Sequence, residues 1–120
     1  MLAYAVDELK VKHVIVTGHL RCGGATACHV AASQPSDPAA LGTPLGRWLE
    51  PLTSLARERT YTLEELVEVN VKKQVANIAN TDTIRNAWKR GQEVWVHGWV
   101  YDIPDGRIRD LGVSVGGLQK

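Results

Sequence analysis

Phenylalanine is absent from this chain, methionine occurs once and cysteine only twice. Two thiols six residues apart, Cys22 and Cys28, make no disulfide framework; they read as thiol or metal-ligand positions in a reducing, cytoplasmic setting. Charge of one sign is lacking as well: a net charge of +1 with 22% charged residues and no polybasic run gives nothing to track a phosphate backbone, so nucleic acid is not an expected partner. No stretch reaches the roughly 18 apolar residues of a membrane span, and Met1 to Lys10 has neither the basic head nor the apolar body of a signal peptide. The expectation is a protein with no membrane partner, located in the cytoplasm. There is no internal repeat and no low-complexity tract. With 44% apolar residues in 120, the chain buries about two-thirds of its unfolded surface, enough for one core and one domain, residues 1–120. In place of phenylalanine, Trp48, Trp88, Trp95 and Trp99 supply the large aromatic area, some of it available to an interface.

The chain alternates between two periodicities. Leu2 to Leu9 reads as a helix, and Lys12 to Thr17 as a buried strand, because Val14, Ile15 and Val16 are consecutive and β-branched. Ala25 to Ser33 reads as a helix opened by Gly23 and Gly24, and Gln34 to Thr43, with Pro35, Pro38 and Gly42, as a surface loop. Pro44 to Arg59 resumes helix, with Leu45, Trp48, Leu49, Leu52 and Leu55 at intervals of three and four; Pro51 inside it should kink or divide it. Thr62-Leu63-Glu64-Glu65 is a capping box, followed by Leu66, Val67, Val71, Val75 and Ile78 on one helical face. Thr81 or Asp82 caps a shorter helix carrying Ile84 and Trp88, with Gly91 as its stop. Glu93 to Ile103 and Arg107 to Leu111 are strand-like, joined by the turn residues Pro104-Asp105-Gly106. The fold class is α/β.

Chemistry concentrates after the first strand, in Gly18-His19-Leu20-Arg21-Cys22-Gly23-Gly24. A strand-to-helix loop at the carboxyl end of a strand is where ligand sites gather in open α/β sheets. A histidine and a cysteine three residues apart can approach one Zn²⁺ at roughly 2.0 and 2.3 Å. They make half a site, since structural zinc takes four protein ligands and catalytic zinc three plus water. The alternative is a metal-free turn in which Cys22 is a small buried hydrophobe. Cys28 and His29 offer a further set, His-x2-Cys-x5-Cys-His, against which stands the expectation that Cys28 packs onto the sheet. His13 and His97 read as structural histidines satisfied by hydrogen bonds. Arg21 is a solvated loop residue or an anion contact, and Asp102 and Asp105 are turn formers.

The order of several segments adds to this. Gly18-His19-x-x-Cys22-Gly23-Gly24, Trp48-Leu49-Glu50-Pro51-Leu52, Asn70-Val71-x-x-Gln74-Val75-x-Asn77, Ala87-Trp88 and His97-Gly98-Trp99-Val100-Tyr101-Asp102 together resemble the C-terminal part of β-class carbonic anhydrases, almost end to end. The resemblance implies a three-layer αβα fold with a reduced, mainly parallel sheet, a zinc cofactor, and the reversible hydration of CO2 to bicarbonate. Of the family's metal ligands, His19 and Cys22 carry over. The family's Cys-x-Asp-Ser-Arg segment, which gives a further cysteine ligand and an Asp-Arg pair, has no match in these 120 residues. The domain therefore reads as truncated, and as this chain alone inactive or weak; the alternative is a non-catalytic zinc-binding or assembly module. In the family's sheet order the strand of Val14, Ile15 and Val16 has a neighbour these residues do not encode. Its open edge predicts a homo-oligomer, or association with a full-length family member. Two chains meeting there could close a His2Cys2 zinc site.

Overall fold

The computed structural model describes residues 1–35 and 38–117. The helices form where the capping chemistry is explicit. Helix α3, Leu63–Ala79, begins with both hydrogen bonds of the capping box: Glu65 N donates to Thr62 Oγ1 at 3.1 Å and Thr62 N donates to Glu65 Oε1 at 3.3 Å. Its buried face carries Leu66, Val67, Val71 and Val75, as the spacing predicts. Helix α4, Asp82–Lys89, is capped by Thr81, and Gly91, at φ +76°, ends it in the left-handed conformation that glycine adopts without strain. Helix α1, Gly23–Ala32, opens at the glycine pair itself, with Cys22 as its N-cap. The amino-terminal helix is present over Tyr4–Glu8 as a π-helix, a turn wider in radius than the α-helix. In the expected loop, Pro38–Gly42 forms a 3₁₀ turn, while Ser36 and Asp37 lie outside the described residues.

Helix α2, Pro44–Arg57, departs from expectation. It is neither divided nor ended at Pro51, which lies on its exposed side. The opposite side, with Leu49, Leu52 and Ala56, packs with Cys28 of α1 and Leu66 of α3. This burial holds the helix together across the one backbone bond that proline removes. Leu45 and Trp48 were expected in the same apolar stripe, yet both are exposed, Trp48 at 77%. Cys28 was expected against the sheet and instead lies in this inter-helix cluster, its thiol donating to Leu49 O at 3.6 Å.

The sheet is small and mixed. Strand β1, His13–His19, runs parallel to β2, Val94–Asp102, in the longest ladder, from His13 opposite Trp95 to His19 opposite Tyr101. Strand β3, Arg107–Asp110, pairs antiparallel with the end of β2. A fourth strand that sequence patterning did not reveal, β4, Val115–Gly117, pairs antiparallel with the start of β2. Among the described residues β1 pairs only with β2 and is an edge.

One face of this sheet is covered. Val94, Val96 and Val100 are buried with Val67, Val71 and Val75 of α3 and Ile84 and Ala87 of α4, and Val14 and Val16 pack against the same core. Helix and sheet approach closely because glycine stands at the contact: a β-carbon on Gly18 would lie 2.7 Å from Val71 Cγ2, and one on Gly98 would lie 3.0 Å from Val71 Cγ1 and 3.1 Å from Val75 Cγ2. The other face, with His13, Ile15 and Thr17 on β1 and Trp95, His97, Trp99 and Tyr101 on β2, is exposed or half-buried. The reading of Val14, Ile15 and Val16 as a uniformly buried run is thereby corrected. Burial alternates, and Ile15 is 44% exposed, because helices cover one side only among the described residues. No described helix is long and apolar enough to cross a membrane.

Candidate metal centre

His19 is the last residue of β1, and Cys22 is the first residue before α1. The link between them is two residues, Leu20 and Arg21. The parallel ladder is extended by Leu20 N donating to Tyr101 O at 3.0 Å, so the turn hangs from the central strand and not from the loop alone. Arg21 then reverses the chain with φ +58°, one of two non-glycine residues at positive φ among the described residues, the other being Lys10. Such a conformation costs an L-residue about 1–2 kcal/mol and persists only where the surroundings hold it. Here the ladder holds one side. On the other, Thr26 N and Thr26 Oγ1 both donate to Cys22 O, at 2.9 and 2.8 Å.

The imidazole is oriented by its own turn. Nδ1–H of His19 donates to Leu20 O at 3.1 Å, which leaves Nε2 as the nitrogen with a free lone pair. A backbone carbonyl on one ring nitrogen is the usual support for a histidine whose other nitrogen binds a metal. Cys22 is a free, half-buried thiol beside the core. A β-carbon on Gly24 would lie 3.9 Å from Cys22 Sγ and 3.8 Å from Leu49 Cδ2, so the glycine leaves space next to the sulfur. In kind, these donors fit a zinc ion. In number they fall short: among the described residues no third His, Cys, Asp or Glu groups with them.

The other candidates are engaged elsewhere. Cys28 is buried between helices, and Nε2–H of His29 donates to Tyr61 O at 2.7 Å, so the four-residue set His19, Cys22, Cys28 and His29 does not come together. The reason is α1 itself, which turns Cys28 toward α2 and α3. Asp102 is a turn former, as expected, accepting from Asp105 N at its side chain and from Gly106 N at its carbonyl. Arg21 is exposed. Arg109, on β3, pairs with Glu64 and Glu68 of α3, tying the far edge of the sheet to the helix that covers it. His13 and His97 do find hydrogen bonds, in part from each other, His13 Nδ1 to His97 Nε2 at 3.0 Å. Strand alternation alone puts His97 on one face with Trp95 and Trp99. The register that brings His13 to it was not legible in the sequence.

Comparison with known proteins gives a consistent result. The sequence model of the family described as Carbonic anhydrase matches residues 1–108. A carbonic anhydrase of Emericella nidulans is 32% identical over an alignment of 128 residues, covering 98% of this chain and 53% of that protein. One of Pseudomonas aeruginosa is 35% identical over 112 residues, covering 90% and 50%. Among solved structures, the Coccomyxa β-carbonic anhydrase in complex with acetazolamide superposes with a TM-score of 0.80 at 30% identity, over 97% of this chain and 54% of that one. A tetrameric β-carbonic anhydrase of Sordaria macrospora does so at 0.74 and 34%, over 95% and 59%. The chain thus spans about half the length of the curated relatives it matches.

Proposed function

This chain belongs to the β-carbonic anhydrase family, and from that premise we propose that it is a β-carbonic anhydrase-like zinc protein in which His19 and Cys22 hold the metal. The observation that carries the reading is the anchored imidazole: Leu20 O takes Nδ1–H of His19, directing Nε2 outward three residues from a half-buried thiol at the start of α1. Bound zinc supplies a Lewis-acid centre that makes water nucleophilic near neutral pH, the chemistry of CO2 hydration. The chain's own part is to fix the two donors. The β1–β2 ladder holds His19, and the first turn of α1 holds Cys22.

Two donors do not complete an open catalytic site, and the family's Asp-Arg pair has no match here. The 120 residues by themselves, which we treat as one domain, therefore hydrate CO2 weakly or not at all. The missing donors come from a second copy, closing a His2Cys2 site, or from a full-length family member. Association is through the edge of β1 near Val14, Ile15 and Val16, whose outer backbone groups are a template for another strand. The solved tetramers of the family support an oligomer of this kind. The free thiols support a cytoplasmic location.

The test is zinc content per chain, on protein purified without added metal or chelator, paired with CO2 hydration on the same sample. About half a zinc per chain without turnover is the expected result and indicates a shared, closed site. About one zinc with turnover overturns the inactivity of the isolated chain. No zinc, with melting unchanged in Cys22→Ala, overturns the metal reading and leaves a structural turn.

A further inference from the structure

The open face of the sheet carries a second group of metal-ligating side chains, at the opposite end of β1 from His19. His13 opens β1, His97 lies at the centre of β2, and the register sets His97 opposite Ile15, so the two histidines are diagonal neighbours on one face. Their rings meet edge to edge, with centroids 5.2 Å apart, planes 27° apart, and Nδ1 of His13 3.0 Å from Nε2 of His97. The second nitrogen of His97, Nδ1, is 2.7 Å from Ser114 Oγ. The ring of His97 is further flanked by Trp95, at 6.3 Å, and Trp99, at 6.4 Å between centroids.

The proton count on this chain of groups follows from the hydrogen bonds. In the tautomer in which Nδ1–H of His97 donates to Ser114 Oγ, Nε2 of His97 carries a lone pair and accepts from Nδ1–H of His13; in the other, Ser114 Oγ–H donates to Nδ1 of His97 and Nε2–H of His97 donates to Nδ1 of His13. A single proton therefore lies between two nitrogens that are both first-rate ligands for divalent transition metals. If the proton of His13 moves to its outer nitrogen, Nε2, two lone pairs face each other, an arrangement stable only with a cation between them. His13 is exposed and can turn its ring about its side-chain bonds to let the lone pairs converge. Metal–nitrogen bonds of roughly 2.0–2.1 Å meeting at about 90° place two ligand nitrogens about 2.9–3.0 Å apart, the cis spacing of tetragonal copper(II) and nickel(II) complexes. With Nε2 of His97 on a metal, Ser114 Oγ accepts its Nδ1–H and orients the ring.

We propose that His13 and His97 form a two-imidazole site for a late divalent transition metal of the nickel(II) and copper(II) class on the uncovered face of the sheet, separate from the His19 and Cys22 centre. The site is bidentate, and solvent fills the remaining positions. It is independent of the zinc reading, since it shares no residue with it and lies six residues away along β1.

Nickel(II) is the probe, because it is not reduced by the free thiols. It is titrated by calorimetry into the wild-type chain, Cys22→Ala, His13→Gln, His97→Gln and Ser114→Ala, with circular dichroism of each variant to establish folding. In parallel, the indole N–H resonances of Trp95 and Trp99 are followed against that of Trp48 on α2. The expected result is a saturable event near one nickel per chain that persists in Cys22→Ala and perturbs Trp95 and Trp99 before Trp48. His13→Gln, which removes an exposed ligand outright, should weaken it by more than the roughly 10–100-fold typical of losing a supporting partner, and Ser114→Ala by less than His13→Gln. Loss of the event in Cys22→Ala, full retention in folded His13→Gln, or only non-saturable binding of an adventitious ion overturns the proposal.

Discussion

Replacing Gly18 by alanine probes the contact that sets both the core and the candidate metal-binding turn. Gly18 immediately precedes His19 on β1, and the added methyl would stand 2.7 Å from Val71 Cγ2 and 3.1 Å from Val67 Cγ1. Val71 and Val67 are only 2% and 4% exposed and sit on α3, so neither can swing into solvent. Relief has to come from a shift of helix against strand, an overpacking cost of about 1–3 kcal/mol. Alanine restricts the unfolded chain more than glycine does, which returns about 0.4–1 kcal/mol. The net expectation is a loss of about 1–2 kcal/mol. For 120 residues that is a drop in Tm of roughly 4–8 °C, read by thermal or urea unfolding followed by circular dichroism. Gly23→Ala is the control. Nothing lies within 4 Å of its β-carbon, and at the first position of α1 it should leave stability unchanged or raise it by up to about 1 kcal/mol. Because the clash is with Val71, the double variant Gly18→Ala/Val71→Ala should lose less than the sum of the single losses. A Gly18→Ala chain as stable as wild type, or strict additivity with Val71→Ala, would refute the close-approach reasoning.

The remaining expectations are smaller. Thr62→Ala removes the hydroxyl that caps α3 and should cost about 1 kcal/mol by urea unfolding, leaving the Glu65 backbone N–H without its acceptor. Arg21→Gly relieves a residue at φ +58° and should stabilise the chain by up to about 1 kcal/mol, net of glycine's greater freedom when unfolded; destabilisation would mean that the guanidinium makes a needed contact. A chelator should lower the Tm of zinc-containing wild-type protein and leave that of Cys22→Ala unchanged, since metal binding energy is folding energy for a site that the unfolded chain lacks.

Local rules carried much of the architecture. The capping box at Thr62, the apolar spacing from Leu66 to Val75, Thr81 before α4 and Gly91 after it are interactions between residues three or four apart, so the linear order of amino acids is enough to specify them. The His-x-x-Cys-Gly-Gly turn was legible for the same reason: its two donors are neighbours in the chain, and the segments around it occur in the family's order. Elements whose stability comes from distant partners were another matter. Helix α2 passes through Pro51 because Leu52 and Ala56 find α1 and α3. Cys28 turns from the sheet because Leu66 and Ala56 receive it. Strand β4 is three residues long and exists only through its pairing with Val94 to Val96.

The sequence by itself determined the family, the helices with their caps, and the identity of the two candidate zinc donors, all of which rest on short-range pattern. Tertiary structure alone decided which side of the sheet is covered and which histidines meet. Alternation along a strand divides its side chains between two faces without saying which face the helices take, and strand register, fixed by partners more than eighty residues apart, is what brings His13 to His97.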